Sequence, residues 1–243
     1  MRQVVAFYKA TFSPCSAQMR QVDSLSAKAA LEQAFHKWGM PLRIRLDNGP
    51  PFANTSDKTL PTALVIWLVS LGIEVIFSRP YSPQQNGSVE CTQRISSRWA
   101  QPKVCQNPTQ LQIRLDEVVK DHLEIYRDRH HQDLTRKQRF PQLFNNPRKY
   151  QAKKIDLQKV KQYLMQFKWK RKVYANGYIS LFGSTFPIGM KYKHQPVLVY
   201  LSPTNLQGQV CTNNGQLIKS FQLINLSQKH IADLTIFSKN FTT

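Results

Sequence analysis

Cysteine is scarce in this chain of 243 residues, which has four, at positions 15, 91, 105 and 211. They lie far apart and form neither a CxxC pair nor a CxxC…HxxxH pattern, which argues against a zinc site. Isolated thiols of this kind are typical of reduced cysteines in a reducing compartment. We therefore expect free thiols and no zinc.

Long hydrophobic runs are also lacking. The longest apolar stretch, Ala63 to Ile73, is much shorter than the roughly 20 residues of a membrane-spanning helix, and we interpret it as a buried helix. The first residues include basic side chains but neither the apolar core nor the cleavage site of a signal peptide. No basic helix has a clean apolar face that the core would not use better. We expect a cytoplasmic protein with no membrane partner.

Acidic side chains are few. The sequence has 14 Asp and Glu residues against 34 Lys and Arg, which gives a formal net charge of +20 and a pI near 10.0. Such an excess destabilises a compact fold by self-repulsion unless an anionic partner screens it. Nucleic acid is a natural partner, because neutralising its phosphates releases counterions. A basic protein without a polyanionic partner is the alternative.

The first third of the chain shows the pattern of a layered α/β fold. A hydrophobic content of 41% and an aromatic content of 11% are globular values. Apolar spacing and turn residues predict strands at 4–12, 42–46 and 73–77, with helices at 27–38 and 60–71 between them. This alternating order favours a parallel pair of strands.

The pattern changes in the rest of the chain. A polar helix is predicted at about 88–99 and a longer helix at about 109–127, where we expect His122 to be a packing residue rather than a ligand. Residues 127–175 then hold 15 of the 34 basic residues and only three acids. Short strands separated by turn residues follow, which indicates a small antiparallel barrel. The predicted strands are 178–182, 185–188, 196–201, 208–211 and 218–223.

Two acidic residues occupy positions at which an α/β sheet can hold a metal ion. Asp47 ends the predicted strand 42–46, and Asn48 and Gly49 after it favour a sharp turn. Glu90 follows 43 residues later, at the start of the polar helix. Carboxylates at the carboxyl edge of a parallel sheet are suitable ligands for Mg²⁺. The alternative is a turn-forming Asp and a Glu that stabilises a helix dipole.

Several motifs, in order, resemble the integrase core of bacterial insertion-sequence transposases. They are LRIRLDNGPPFAN at 42–54, a predicted helix with WL at 67–68 and LGI at 71–73, and RPYSPQQNGSVE at 79–90. The resemblance is specific because it joins several motifs at fitting intervals. It implies an α/β fold with an RNase H-like integrase core.

The downstream sequence extends the resemblance more loosely. Residues 129–141 are similar to the tail of the family core, and residues 173–223 resemble the small β-barrel that follows the core in integrases and in phage Mu transposase. The implied domains are a truncated integrase catalytic core, a basic linker, a small C-terminal β-barrel and a tail. Their predicted ranges are 1–145, 146–171, 172–235 and 236–243.

The resemblance also implies a chemistry, DNA integration during transposition and recombination. Asp47 matches the second metal-binding carboxylate of the family's DDE set and Glu90 the third, while Asn86 and Gly87 match the turn that presents Glu90. The implied cofactor is Mg²⁺ or Mn²⁺. The implied reaction transfers a 3′ hydroxyl of a mobile-element end to a phosphodiester of double-stranded target DNA. A nucleoid-associated bacterial homo-oligomer is the corresponding expectation.

The chain departs from the family at the first catalytic carboxylate. Family members carry that Asp on a strand that precedes the segment matching 4–12, whereas no acidic residue precedes Asp23 here. Residues 91–93 also replace the Arg and His that usually follow the third carboxylate. We therefore expect an N-terminally truncated copy, with the first core strands missing and impaired activity. A working enzyme completed by a separate polypeptide and a non-catalytic DNA-binding regulator of an intact transposase are the alternatives, so whether it is an enzyme stays open.

The basic segment supplies the expected DNA contacts. Several of its side chains are expected to meet phosphates, and affinity should then fall steeply with salt. A solvated basic face without a partner is the alternative. The predicted contacts are Lys153, Lys154, Lys159, Lys161, Lys168, Lys170, Arg171 and Lys172.

Overall fold

The chain forms a mixed α/β structure with two compact units. The computed structural model describes residues 23–54, 57, 59–79, 94, 98–128, 132–141, 148–152, 154–202, 207–222 and 226–237. Of these, 26–41 and 78–150 belong to the first unit, and 23–25, 42–77 and 151–237 to the second. In chain order the elements are α1 (Ser24–Trp38), β1 (Arg43–Leu46), α2 (Ala63–Ser70), β2 (Glu74–Phe77), α3 (Pro108–Glu124), β3 (Arg127–Asp128), β4 (Leu134–Thr135), α4 (Arg136–Arg139), α5 (Leu157–Leu164), β5 (Trp169–Lys172), β6 (Tyr178–Leu181), β7 (Ser184–Pro187), β8 (Pro196–Leu201), β9 (Gly208–Thr212), β10 (Leu217–Phe221) and α6 (Gln228–Ala232).

Strands β1 and β2 form the predicted parallel pair. Their register runs from Arg43 opposite Glu74 to Leu46 opposite Phe77. Alternation along β1 buries Ile44 and Leu46 and exposes Arg43 and Arg45. Strand β1 therefore has one buried apolar side, and because the pairing is parallel the two strands end at the same edge.

Helix α2, between these strands, is buried on every side. Leu64, Val65, Ile66 and Leu68 have no solvent-accessible surface, as expected for a helix that is apolar all round. Thr62 caps its start, because its Oγ1 accepts a hydrogen bond of 3.3 Å from the Val65 N–H. Helices α5 and α6 both pack against it. In the described ranges, no helix is both long and apolar enough to cross a membrane.

The turn after α2 receives helix α5. Gly72 has a φ of +70° and its N–H donates to the Val69 carbonyl at 2.8 Å, so this position favours glycine. A Cβ at Gly72 would lie 2.6 Å from Lys159 Nζ. The Asp156 N–H donates to the Ser70 carbonyl at 2.9 Å. The start of α5 is therefore joined to the end of α2 by backbone contact.

The C-terminal strands form a four-stranded antiparallel sheet in the order β10–β9–β8–β5, with β6 and β7 as a separate hairpin. All five strands predicted for this region are present, with ends within two residues of those expected. Strand β5 was not predicted, because it lies in the segment interpreted as a linker. It pairs with β8 from Trp169 opposite Val199 to Lys172 opposite Pro196.

The prediction that these strands close into a barrel is wrong for the part of the chain that the structure describes. Closure requires the edge strands to share backbone hydrogen bonds around a filled interior, and β10 and β5 remain opposite edges of an open sheet. Strand β10 has no well-buried side: Lys219 and Ser220 are exposed, and its register shifts between Leu217 and Lys219. Strand β10 therefore contributes little apolar surface to the interior that a closed barrel would need.

The first unit is built around α1 and α3. Helix α1 buries Ala27, Leu31 and Phe35, which recur every four residues on one side. It ends at Trp38, where the predicted helix also ends, and Gly39 after it has a φ of +82° and donates a hydrogen bond of 2.9 Å to the Phe35 carbonyl. Tyr150 packs on the same helix, with its ring 5.9 Å from that of Phe35.

Helix α3 confirms the longer helix predicted at 109–127. Asn107 caps it by accepting a hydrogen bond of 2.9 Å from the Gln110 N–H. The predicted strand 4–12 and most of the predicted helix 88–99 lie outside the described residues, although 98–100 are helical. The apolar cluster beneath α3 consists of Ala100, Cys105, Leu111, Leu115 and Val118.

Candidate nucleic-acid interface

Residues 157–232 contain ten Lys and Arg side chains and not one Asp or Glu. The span includes α5, the four-stranded sheet, the β6–β7 hairpin and α6. It extends well beyond the basic segment 127–175 that the sequence pattern singled out. Asp57 and Asp156, which lie outside the span, face Arg171 and Lys159, and the other eight basic residues make the span a source of positive potential.

Three lysines are exposed directly before and along the edge strand β5, which begins at Trp169. Lys168, Lys170 and Lys172 are exposed, whereas Trp169 is buried and Arg171 is partly buried. The two-residue period of the strand places Lys170 and Lys172 on one side, about 6.5 Å apart along the chain, and Lys168 precedes Lys170 by the same two residues. We name Lys168, Lys170 and Lys172 the lysine stripe. All three belong to the predicted DNA contacts, and the structure brings them together.

Trp169 anchors the other side of β5 in the core. Its side chain is fully buried and its indole N–H donates to the Thr59 carbonyl at 3.1 Å. Phe182 packs edge-on against the indole, with ring centroids 5.1 Å apart. Phe237 stacks on Phe182 at 4.4 Å. This aromatic packing fixes the strand and orients the lysine stripe toward solvent.

Arg171, also predicted to contact DNA, is engaged within the protein. Its Nη2 pairs with Asp57 Oδ2 at 2.5 Å, its Nε donates to the Ser180 carbonyl at 3.1 Å, and its Nη1 donates to the Lys170 carbonyl at 2.8 Å. Burial opposes ionisation of Asp57, but hydrogen bonds from Thr59 and the charge of Arg171 outweigh it and hold the pKa of Asp57 below its ordinary value. Arg171 therefore joins segments of the second unit.

A shallow groove with a volume of about 350 Å³ adjoins the lysine stripe. The segment before β8 forms one wall, because the Val173 N–H donates to the Gln195 carbonyl at 3.0 Å and the His194 N–H donates to the Val173 carbonyl at 2.9 Å. The groove can admit an extended anionic chain. Its lining residues are Lys170, Arg171, Lys172, His194 and Pro196.

Sequence reasoning missed the basic segment beside this groove. Lys191, Lys193 and His194 are exposed, and the Val173 contacts hold their segment next to the end of β5. The available signal was the sequence KYKH between two predicted strands. The sequence pattern does not connect this segment with β5, because only the fold brings residues 191–194 next to Val173.

The other predicted contacts lie on or before α5. Lys154 is exposed, Lys161 is partly buried, and Lys159 Nζ lies 3.6 Å from Asp156 Oδ2. Lys153 lies outside the described residues. The strand, and not the helix, therefore arranges the predicted lysines in a regular row.

Asp47 is exposed directly after β1, at the carboxyl end of the parallel pair. Its Oδ1 accepts a hydrogen bond of 3.3 Å from the Gly49 N–H across Asn48. An accessible carboxylate there fits a hard cation that keeps several waters. Glu90 and the turn 86–87 lie outside the described residues. In the described ranges, no three His, Cys, Asp or Glu side chains form a potential metal cluster.

His122 packs inside the first unit, as predicted. It is 7% exposed, its ring lies edge-on to Trp99 at 6.0 Å, and Arg136 Nη1 lies 2.7 Å from its Nδ1. Burial, together with the charge of Arg136, lowers the pKa of His122 to about 4. The ring is therefore neutral at neutral pH and suited to accept a hydrogen bond from Arg136.

The chain has a distant likeness to a solved structure. No protein-family model matches the chain. The chain is similar to one in the cryoEM structure of a simian T-cell lymphotropic virus intasome in complex with the PP2A regulatory subunit B56 gamma, with a TM-score of 0.38 and 19% identity. The match covers 83% of this chain and 66% of that one, slightly less than two thirds of its length.

Proposed function

We propose that the protein binds double-stranded DNA through the lysine stripe. The observation that carries the proposal is the exposure of every second residue before and along β5, namely Lys168, Lys170 and Lys172, within a span free of acidic residues. Phosphates recur regularly along a DNA strand, so a regular row of ammonium groups can meet several at once. Each contact releases condensed counterions and gives affinity without sequence preference.

The experiment compares two triple variants with equal charge change. Replacing the three stripe lysines with Gln is expected to weaken duplex binding and to flatten the slope of log affinity against log salt by about 2.7, since each lost contact removes about 0.9. The control replaces Lys103, Lys120 and Lys149, which are exposed in the first unit. Equal effects of the two triples would reject the stripe as the binding surface.

A second candidate function is phosphodiester strand transfer during DNA integration, by an RNase H-like core of the transposase type. It is favoured by the exposed Asp47 carboxylate at the carboxyl end of β1 and by the motifs around it. Asp47 and Glu90 would together hold Mg²⁺ or Mn²⁺. Such an ion stabilises charge on the transferred phosphate and activates the attacking oxygen. Asp47 itself supplies an oxygen ligand from a strand end fixed by pairing with β2.

This second function is tested by Asp47→Asn, with Asp233→Asn at an exposed site of the second unit as the control. We expect loss of Mn²⁺ binding, and joining of pre-cleaved DNA ends reduced about 100-fold or more, for the Asp47 variant alone. Mn²⁺ binding that is unaffected by Asp47→Asn would reject the cation site. DNA binding without an Asp47-dependent cation site would favour the non-catalytic regulator instead.

A further inference from the structure

Two exposed tyrosines continue the lysine stripe. Tyr174 follows Lys172 by two residues and is 51% exposed, whereas Val173 between them is buried. The ladder contacts of Val173 with 194–195 extend the strand geometry past the end of β5. The alternation that exposes the stripe therefore places the Tyr174 ring next in the row, about 6.5 Å beyond Lys172 along the chain.

A tight hairpin turn places the second tyrosine opposite the first. The Tyr174 N–H donates to the Tyr178 carbonyl at 2.7 Å, and the Gly177 N–H donates back to the Tyr174 carbonyl at 3.0 Å. Directly opposed residues of an antiparallel pair project their side chains to the same side. Tyr178 is 37% exposed, and Ile179 after it is fully buried. The two phenol rings therefore share one exposed side of the hairpin.

The backbone beneath these rings is held in place. The Gly177 carbonyl accepts hydrogen bonds from Ile188 at 2.8 Å and from Gly189 at 3.0 Å. Gly177 has a φ of +77°, and a Cβ there would lie 2.9 Å from the Gly189 carbonyl carbon. This close approach fixes the turn, so little backbone entropy would be lost when a ligand binds the rings.

Exposed aromatic rings on a fixed backbone turn beside a row of cations suit one kind of ligand. Nucleobases stack on aromatic side chains while basic groups follow the phosphates of the same strand. In a duplex interior, neighbouring base pairs cover the face of each base, whereas an unpaired base can offer its face. An acidic protein would use the lysines but has no need of two adjacent phenol rings.

We propose that Tyr174 and Tyr178 form a stacking platform for an unpaired nucleobase whose strand continues along the lysine stripe. The proposal rests on the DNA binding proposed above and adds the class of DNA that is preferred. It predicts that a duplex with a single-stranded tail binds more tightly than a blunt duplex with the same number of phosphates. Stacking provides the difference, and the stripe provides the affinity that both substrates share.

The test replaces both tyrosines with Leu, and in a matched variant both with Phe. The Leu variant is expected to bind tailed DNA about 5- to 100-fold more weakly than the wild type, while its affinity for blunt duplex stays unchanged. The Phe variant should bind both substrates like the wild type, because it retains the ring. A 2-aminopurine base in the tail should be quenched on binding the wild type and the Phe variant, but not the Leu variant.

The outcomes separate this proposal from the one on which it rests. Equal losses for tailed and blunt DNA in the Leu variant, or an unquenched tail with the wild type, would overturn the platform while leaving the lysine stripe in place. No binding of either the tailed or the blunt DNA by the wild type would overturn both. Urea unfolding midpoints of the variants establish that a loss of affinity is not a loss of folding.

Discussion

Adjacent basic residues on β5 have opposite roles because a strand alternates its side chains. Lys170 and Lys172 are exposed, whereas Arg171 between them contacts Asp57 and the Ser180 carbonyl. A guanidinium with several donors in a planar fork is suited to such multiple contacts. All three looked equivalent in the sequence, where only their charge was visible.

Replacing Arg171 with Gln is expected to lower the free energy of unfolding of the second unit by about 1–3 kcal/mol, because Asp57 loses a partly buried ionic partner. Urea denaturation followed by circular dichroism measures the change. Lys170→Gln, with the same change of charge on the exposed side, should stay within about 0.5 kcal/mol of the wild type in its free energy of unfolding.

The salt slope of DNA binding should respond in the opposite way. Lys170→Gln should change the slope, and Arg171→Gln should not. If Arg171→Gln changed the salt slope and Lys170→Gln changed the stability, Arg171 would belong to the DNA-binding surface.

Among the elements, those with a clear period were predictable. Strand β1 alternates, α1 repeats its apolar residues every four positions, and a glycine follows the helix end, so local sequence was sufficient. Strand β5 was not predictable in this way, because WKRK offers one apolar residue in four. It becomes a strand through pairing with β8 and burial of Trp169, which are both non-local.

At the scale of the whole molecule, the second unit is discontinuous in sequence. Residues 42–77 contribute α2 and the loop of Asp57 and Thr59, and residues from 151 onward contribute the helices and sheet that pack on them. Contacts across this separation include Trp169 to the Thr59 carbonyl and Asp156 to the Ser70 carbonyl. The C-terminal sheet therefore depends on an early part of the chain.

A fragment of residues 146–243 is accordingly expected to be less stable than the same residues within the full chain. It loses α2, against which α5 and α6 bury apolar residues, among them Val160 and Ile231 at 0% exposure. Trp169 is the single tryptophan of this fragment, so its fluorescence reports unfolding directly. A lower urea midpoint than for the full chain, with a more exposed Trp169, is the expected result. A fragment as stable as the full chain would show that the sheet folds independently.

The sequence alone determined the α/β character, most element boundaries, the excess of positive charge and the motifs around Asp47, because composition and period are local properties. Tertiary structure decided which basic residues face solvent, since that depends on the register of β5 against β8 and on where Trp169 finds a buried site. It also decided that the C-terminal sheet stays open in the described residues. The segment at 191–194 joined the same surface only because hydrogen bonds to Val173 bring it there, and such proximity between distant segments is not encoded in any local pattern.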